Sequence, residues 1–229
     1  MRFAIYYAPP PSSPLHQLGS RWLGRDAVSG EALAQPAALD LAPITREPRR
    51  YGFHATLKPP FALKDGTPPA SLEAAVEALA HSIQPFEIVL ALRPVDGFLA
   101  LVPDRPCGNL GHLAEACVRD LDRFRQPASE EDIARRRAAG LSPRQDEYLG
   151  RWGYPYVFDE FRFHMTLSRR LSPSKLEDVT PLAEDHFGMV IGHPITIDSV
   201  SMFVEPRASA DFTIHRRFPF QSPRAKASP

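Results

Sequence analysis

The stretch FRFHMTLSRR, residues 161–170, carries a histidine and a threonine two positions apart in a segment whose composition predicts a buried strand. The same His-x-Thr-Leu pattern occurs in RRYGFHATLKPPF, residues 49–61. Alternate residues of a strand point to the same face, so each histidine is expected to project together with its threonine. If the two strands lie side by side, two imidazoles and two hydroxyls meet. These four side chains are His54, Thr56, His164 and Thr166.

Two histidines and two threonines suit the cleavage of a phosphate ester. Histidine exchanges protons near neutral pH, and two histidines can act as base and acid in one turnover. Threonine hydroxyls can donate hydrogen bonds to the non-bridging phosphate oxygens. Because no carboxylate cluster accompanies the histidines, this scheme requires neither a metal nor another cofactor. One copy of the motif alone is more often structural, but two copies by accident are improbable.

The composition favours a small ligand over a polymer. Twenty-seven basic and 27 acidic residues leave a formal net charge of zero, so long nucleic acid is not an expected partner. Cys107 and Cys117 have neither disulfide-framework nor zinc-site spacing and suit a reducing cytoplasm. The N-terminus does not read as a secretory signal, and no run of 18 apolar residues occurs. We therefore expect a soluble, cytoplasmic chain.

Residue patterns predict a mixture of helices and strands. RFAIYYAP predicts a core strand, and FEIVLALRPVDGFLALVP predicts a hairpin that turns at Asp-Gly. Helical spacing predicts helices over 70–83 with Ser71 as N-cap, over 109–125, from Ser129, and from Pro173 to Phe187 with Ser172 as N-cap. Two strands, ITIDSVSMFVEP and FTIHRRFPF, are predicted to complete the fold.

Three segments have a weaker pattern. Residues 9–50 are expected to form loops around short helices. The polar and then aromatic region 127–158 suits a connecting lobe or a lid. The tail 221–229 is expected to be disordered.

The motifs HATL and HMTL resemble those of the 2H phosphoesterase superfamily, which includes RNA 2′,3′-cyclic phosphodiesterases and ligase-like proteins. IYYAPP, WLGRD, RRYGFHATLKPPF and SPRQDEYLGRWGYPYVFDEFRFHMTLSRRL are similar to its bacterial subfamily encoded with phosphonate-utilisation genes. The resemblance implies a single α+β domain over residues 1–220. The resemblance further implies that this domain is bilobal, with two pseudo-twofold-related lobes around 49–61 and 161–171, each with an antiparallel sheet and helices, and with the active-site groove between them.

The resemblance also implies residue roles. His54 and His164 become the catalytic acid and base, in an order that is not assigned, and Thr56 and Thr166 become donors to phosphate oxygens. Arg169 matches a position where relatives often carry a basic residue. Strand alternation puts Lys58 and Ser168 on the catalytic face but Arg169 on the other, so Arg169 would have to bend round.

Aromatic and basic residues near the motifs are further candidates for substrate binding. Tyr6 and Tyr156 can line a wall for a base or sugar. Arg49, or its neighbour Arg50, can neutralise a phosphate from the rim. Tyr51 suits core packing equally well, and the basic run RRRAAGLSPR is interpreted as exposed surface. The full set of predicted substrate-binding residues is Tyr6, Arg49, Tyr51, Lys58, Tyr156 and Arg169.

The leading hypothesis is a metal-independent phosphoesterase that hydrolyses a small cyclic phosphate or phosphodiester, such as a ribose or nucleotide cyclic phosphate. A role in phosphonate metabolism rests on the resemblance alone. The alternatives are processing of RNA 2′,3′-cyclic ends, a non-catalytic nucleotide- or phosphate-binding module, and a metal-binding protein. The sequence makes no prediction of the oligomeric state.

Overall fold

A computed structural model describes residues 1–37, 40–138 and 140–221. Within these residues the strands are β1 (Arg2–Tyr7), β2 (Ala55–Phe61), β3 (Phe86–Val95), β4 (Phe98–Pro103), β5 (Met165–Thr166), β6 (Pro194–Ile197), β7 (Ser199–Glu205) and β8 (Thr213–Pro219). The helices are α1 (Pro14–Leu23), α2 (Ala42–Arg49), α3 (Pro69–His81), α4 (Gly108–Leu121), α5 (Glu130–Arg137), α6 (Pro143–Trp152) and α7 (Pro173–Phe187). Short 3-10 turns cover Asp122–Phe124 and Phe158–Glu160. The fold is α+β, as predicted.

The strands form one antiparallel sheet in the order β6-β3-β4-β5-β2-β1-β7-β8. Only Asp198 separates β6 from β7 along the chain, yet the sheet order places five strands between them. A single residue spans only about 3.5 Å, so the sheet must curl until its two ends approach each other. The two motif strands, β2 and β5, are neighbours at the centre. The bilobal arrangement stays a prediction.

Most predicted elements are present. The hairpin β3–β4 turns at Asp96 and Gly97, whose φ angles of 46° and 85° suit the Asp-Gly turn. Ser129 and Ser172 cap α5 and α7, each by accepting a hydrogen bond from a backbone N–H in the first helical turn. Helix α6 lies in the region predicted as a lobe or lid.

Three predictions about the elements are wrong. Helix α3 begins at Pro69 with Pro68 as N-cap, because proline suits the first helical turn, so Ser71 lies inside the helix. Three strands rather than two complete the fold, since the chain passes at Asp198 from one end of the curled sheet to the other. The strand of the second motif has only two residues. It is short because the Leu99 N–H bonds to the Ser168 hydroxyl and the Leu167 carbonyl accepts from the Trp22 side chain, instead of bonding to each other.

The sheet buries a large apolar core on one face, where α3, α4 and α7 contact the strands. A smaller cluster, which includes Tyr6, Phe203 and Phe212, lies on the other face of β1 and β7. None of the helices in the described ranges is long and apolar enough to cross a membrane. Residues 222–229 of the tail predicted to be disordered lie outside the described residues.

Candidate active site

The two motifs meet across the β2–β5 pair. Ala55 pairs with Met165, and both side chains are fully buried in the large core. In an antiparallel pair the flanking residues face each other in reverse order and point to the opposite face of the sheet. His54 therefore lies across from Thr166, and His164 lies across from Thr56. All four side chains line one cavity of about 650 Å³.

The backbone holds His54 in one orientation. Its Nδ1 lies 2.8 Å from the Gly52 carbonyl oxygen, and its Nε2 lies 3.2 Å from Thr56 Oγ1. A carbonyl only accepts hydrogen bonds, so Nδ1 carries a proton and the neutral ring has a basic Nε2. The Thr56 hydroxyl donates to that nitrogen. Tyr6 stacks on the imidazole with 3.9 Å between ring centroids, which fixes the ring plane.

His164 is held in the same way. Its Nδ1 lies 2.8 Å from the Arg162 carbonyl oxygen, and the Phe98 ring packs against it at 5.4 Å. The neutral His164 ring consequently also has its basic nitrogen at Nε2. Each motif therefore bonds its histidine to the carbonyl two residues earlier in the chain.

Burial lowers the pKa of both histidines. The pKa of His54 falls to about 4, chiefly because burial disfavours its charged form, while the hydrogen bond to Gly52 opposes this shift and His164 adds to it. Burial also lowers the pKa of His164, against the hydrogen bond to Arg162 and the nearby Asp96 carboxylate, which raise it. At neutral pH both imidazoles are uncharged in the free groove.

Tyr6 and Tyr51 both line the cavity. Burial raises the pKa of the Tyr6 hydroxyl, so it is a neutral group at neutral pH. Tyr51 stacks on Phe212 at 5.2 Å, and its ring lies 6.1 Å from the His54 ring. Strand alternation does not apply to Tyr51, because the chain turns at Gly52, whose φ is +74°.

Lys58 does not lie in the groove, and this prediction is wrong. Tyr6 pairs with Thr56 but Ile5 pairs with Lys58, so β2 contains one extra residue, a β-bulge, at this point. The bulge reverses the alternation and turns Lys58 into the core. There its ammonium donates to the Val118 carbonyl and lies 3.3 Å from Asp122.

Three other predicted positions have different outcomes. Arg49 does not line the cavity, because its guanidinium bonds to the Gly24 carbonyl instead. Tyr156 is 46% exposed and lines a neighbouring cavity of about 460 Å³, which shares Thr56 and His164 with the groove. Arg169 does line the groove, because β5 ends at Thr166 and alternation fails beyond it.

Sequence reasoning missed several lining residues, which include Glu47, Phe98, Arg136 and Arg170. The basic run interpreted as exposed surface supplies Arg136, whose guanidinium lies 5.1 Å from the centre of the Tyr154 ring. Tyr154 also lines the cavity and belongs to the aromatic run RWGYPYVF, whose side chains can stack on a base or sugar. Within the described ranges, no three His, Cys, Asp or Glu side chains cluster as they would to hold a metal ion.

The chain thus combines an α+β fold with two His-x-Thr motifs on adjacent strands at the centre of the sheet. The model of a family described as "Protein of unknown function (DUF1045)" matches residues 56–213. The chain belongs to this family.

Two curated relatives are similar over nearly the whole chain, and both are named ribose 1,5-bisphosphate phosphokinase PhnN. The protein of Janthinobacterium sp. (strain Marseille) is 37% identical over 238 aligned positions, which cover 99% of this chain and 52% of that protein. The protein of Laribacter hongkongensis (strain HLHK9) is 38% identical over 218 positions, covering 94% and 51%. The chain spans about half the length of these relatives.

Solved structures show a more distant likeness. A protein of Thermus thermophilus is 14% identical with a TM-score of 0.49, covering 97% of this chain and all of that one. Escherichia coli LigT in its apo form is 13% identical with a TM-score of 0.44, covering 96% and 97%. A protein described as a phosphoesterase is 14% identical with a TM-score of 0.43, covering 96% and 98%.

Proposed function

We propose that this chain is a phosphoesterase that hydrolyses a small cyclic phosphate or phosphodiester by acid–base catalysis between His54 and His164. One observation carries the proposal: the pairing of Ala55 with Met165 brings both motifs to one cavity, and each histidine has its Nδ1 bonded to a carbonyl. Both catalytic nitrogens are thereby presented as Nε2. The resemblance of HATL and HMTL to the motifs of the 2H phosphoesterases supports the same reaction.

The step needs one neutral and one protonated histidine. Water attacks phosphorus and forms a new P–O bond, while its proton passes to Nε2 of the neutral ring. The P–O bond to the leaving oxygen breaks, and that oxygen takes the proton from Nε2 of the other ring. A cyclic phosphate so becomes a phosphomonoester and a free hydroxyl. Thr166 donates a hydrogen bond to a non-bridging oxygen, and so does Thr56 once its hydroxyl turns from His54 Nε2 to the substrate. Our expectation that neither a metal nor a cofactor takes part stays a prediction.

The surroundings favour His54 as the base and His164 as the acid. Tyr6 covers one face of His54. Burial disfavours the charged form of His54 more strongly than that of His164. Asp96 lines the neighbouring cavity together with His164 and favours the protonated form of that ring. An anionic substrate in the groove would favour it further.

The relatives support a phosphorylated ribose as the substrate class. The names of both relatives refer to ribose 1,5-bisphosphate, although this chain spans only half of those proteins.

RNA 2′,3′-cyclic ends are the second candidate, because the aromatic side chains of Phe98, Tyr154 and Tyr156 in the neighbouring cavity could stack on bases. RNA binding would weaken steeply with added salt, whereas binding of a small sugar phosphate would depend on salt less.

The test is hydrolysis of nucleoside 2′,3′-cyclic and ribose 1,2-cyclic phosphates in EDTA by wild type, His54→Ala and His164→Ala. We expect turnover by the wild type and a loss of at least about 1000-fold in each variant. His112→Ala removes an exposed histidine of α4 and is the matched control. Activity only with added metal, or a dispensable motif histidine, would contradict the proposal. Tight binding without turnover would favour a non-catalytic binding module.

A diester with a p-nitrophenolate leaving group tests the two roles separately. That leaving group needs no proton, so a variant that lacks only the acid should regain activity on it. We expect the rate deficit of His164→Ala to shrink at least tenfold on this substrate, whereas that of His54→Ala persists. The opposite result would exchange the two roles.

A further inference from the structure

Among the described residues, none with a fixed positive charge lies in the part of the groove around His54, Thr56, His164 and Thr166. His54 and His164 are uncharged there at neutral pH, and the threonines and Tyr6 are neutral donors. Lys58, the cation nearest to the first motif in sequence, is buried beside Asp122. Any cation that a substrate meets in this cavity must come from elsewhere on its wall.

Three arginines supply that charge, namely Arg136 from α5 and Arg169 and Arg170 after β5. Glu47 is the only carboxylate in the described lining of the cavity. The lining therefore has an excess of two positive charges, although the whole chain is neutral. A diester phosphate carries one negative charge, so it leaves part of this excess unbalanced.

The contacts of α5 single out Arg136. Its neighbours pair with carboxylates: Arg135 with Asp132, and Arg137 with Asp146. Among the described residues no carboxylate forms an ion pair with Arg136, whose guanidinium packs on Tyr154 within the groove wall. A helix with three successive arginines thus neutralises two and presents the third to the cavity.

Arg169 and Arg170, which follow β5, also line the cavity. The Arg169 side chain donates to the Pro43 and Arg170 carbonyls, which hold it at the rim. No carboxylate of the described residues pairs with Arg170, which lines both the groove and the neighbouring cavity. Guanidinium groups bind phosphate with paired, directed hydrogen bonds, so unpaired arginines in a cavity suit a phosphomonoester.

We propose that Arg136 and Arg170, supported by Arg169, form a subsite for a second phosphate that does not react. The substrate is then a small sugar or nucleotide with a cyclic or diester phosphate at the histidines and a separate phosphomonoester at the arginines. A phosphomonoester carries about −1.5 to −2 charge, so the whole substrate carries about −2.5 to −3. This matches the lining excess of two together with the protonated His164 of the reacting complex. The cavity of about 650 Å³ lies within the size range of small-ligand sites. This inference rests on the proposed function.

Matched substrate pairs provide the test: adenosine 2′,3′-cyclic phosphate with and without a 5′-phosphate, and ribose 1,2-cyclic phosphate with and without a 5-phosphate. The measured quantity is the ratio of kcat/KM for the two members of each pair at fixed ionic strength. We expect a ratio of at least ten in the wild type for one pair. It should fall toward one in Arg136→Gln and Arg170→Gln, and fall less in Arg136→Lys. Arg135→Gln, which removes the same charge from the same helix, should keep the ratio.

The outcomes separate this inference from the proposed function. Equal kcat/KM for both members of each pair in the wild type would overturn the subsite and leave the phosphoesterase standing. If no compound is hydrolysed, the proposed function fails, and calorimetric binding of the same pairs still tests the subsite. Tighter binding of the phosphorylated member, lost in Arg136→Gln and Arg170→Gln, would support it. Equal binding of both members would overturn it.

Discussion

Ala55 lies directly opposite Met165 at the centre of the sheet, and both side chains are fully buried. A slip of one residue in a strand would turn its core side chains to the other face. The buried pair therefore fixes the register that brings His54 opposite Thr166. The large core, which includes both residues, stabilises the geometry of the groove on the other face.

The threonine hydroxyls should act mainly in the transition state. Thr56→Val and Thr166→Val remove one donor each while they keep the shape of the side chain. We expect kcat to fall about 100-fold in each variant with little change in KM, since charge on the phosphate oxygens grows during the reaction. Thr56→Ser and Thr166→Ser retain the hydroxyl and should recover most of the activity. A large rise in KM with unchanged kcat would assign the threonines to ground-state binding only.

Lys58 should matter for stability and not for catalysis. In Lys58→Met an apolar side chain of similar length replaces the buried ammonium, while Asp122 keeps its two hydrogen bonds from Arg125, so stability should change by no more than about 1 kcal/mol. Its kcat/KM should remain within threefold of the wild type. Asp122→Asn leaves the Lys58 ammonium without its carboxylate and should cost on the order of 3 kcal/mol in urea unfolding. A loss of activity in Lys58→Met without a loss of stability would return Lys58 to the site.

The bulge at Lys58 shows where sequence reasoning stops. The period of two predicts correctly that His54 and Thr56 share a face, because the regular ladder reaches Thr56. Beyond Thr56 the register shifts, and no pattern in ATLKPPF locates the extra residue, although the two prolines signal an irregular strand. A two-residue β5 was equally hidden, since side-chain hydrogen bonds of Ser168 and of distant Trp22 end its ladder. Arg136 was missed because a charge run does not reveal which of its members has a partner.

Gly52 should be essential for the position of His54. Its φ is +74°, and an added Cβ would lie 2.4 Å from the Ala27 Cβ. Gly52→Ala therefore combines backbone strain with overpacking, for which we expect a loss of about 2 to 4 kcal/mol in stability. The carbonyl that orients His54 would move with it, so kcat/KM should fall at least tenfold.

Gly66→Ala is the matched control for Gly52→Ala. Its φ is +75°, but an added Cβ would meet nothing within 4 Å. This variant should show the backbone strain alone, about 1 to 2 kcal/mol, with unchanged kcat/KM. Equal activity of the two alanine variants would show that the Gly52 carbonyl does not determine the orientation of His54.

The pH dependence of kcat/KM should have an acidic optimum. His54 must be neutral to act as base, so activity rises as the pH passes upward through its pKa of about 4. His164 must be protonated to act as acid, so activity falls as the pH rises through a pKa that burial holds below 6.5. The optimum for the free enzyme should therefore lie between about 4 and 6.5. The profile of kcat should extend to higher pH, because a bound anionic substrate favours protonated His164.

Asp96→Asn tests the alkaline limb of that profile. The Asp96 carboxylate raises the pKa of His164, so its removal should lower that pKa and move the alkaline limb of kcat/KM to lower pH. The fold should tolerate the change, because asparagine before glycine suits the same hairpin turn at a φ of 46°. Asp65→Asn removes a charge from an exposed turn and should leave the limb in place. An optimum above pH 7 in the wild type, or an unmoved limb in Asp96→Asn, would show that the deprotonation of His164 does not limit the reaction.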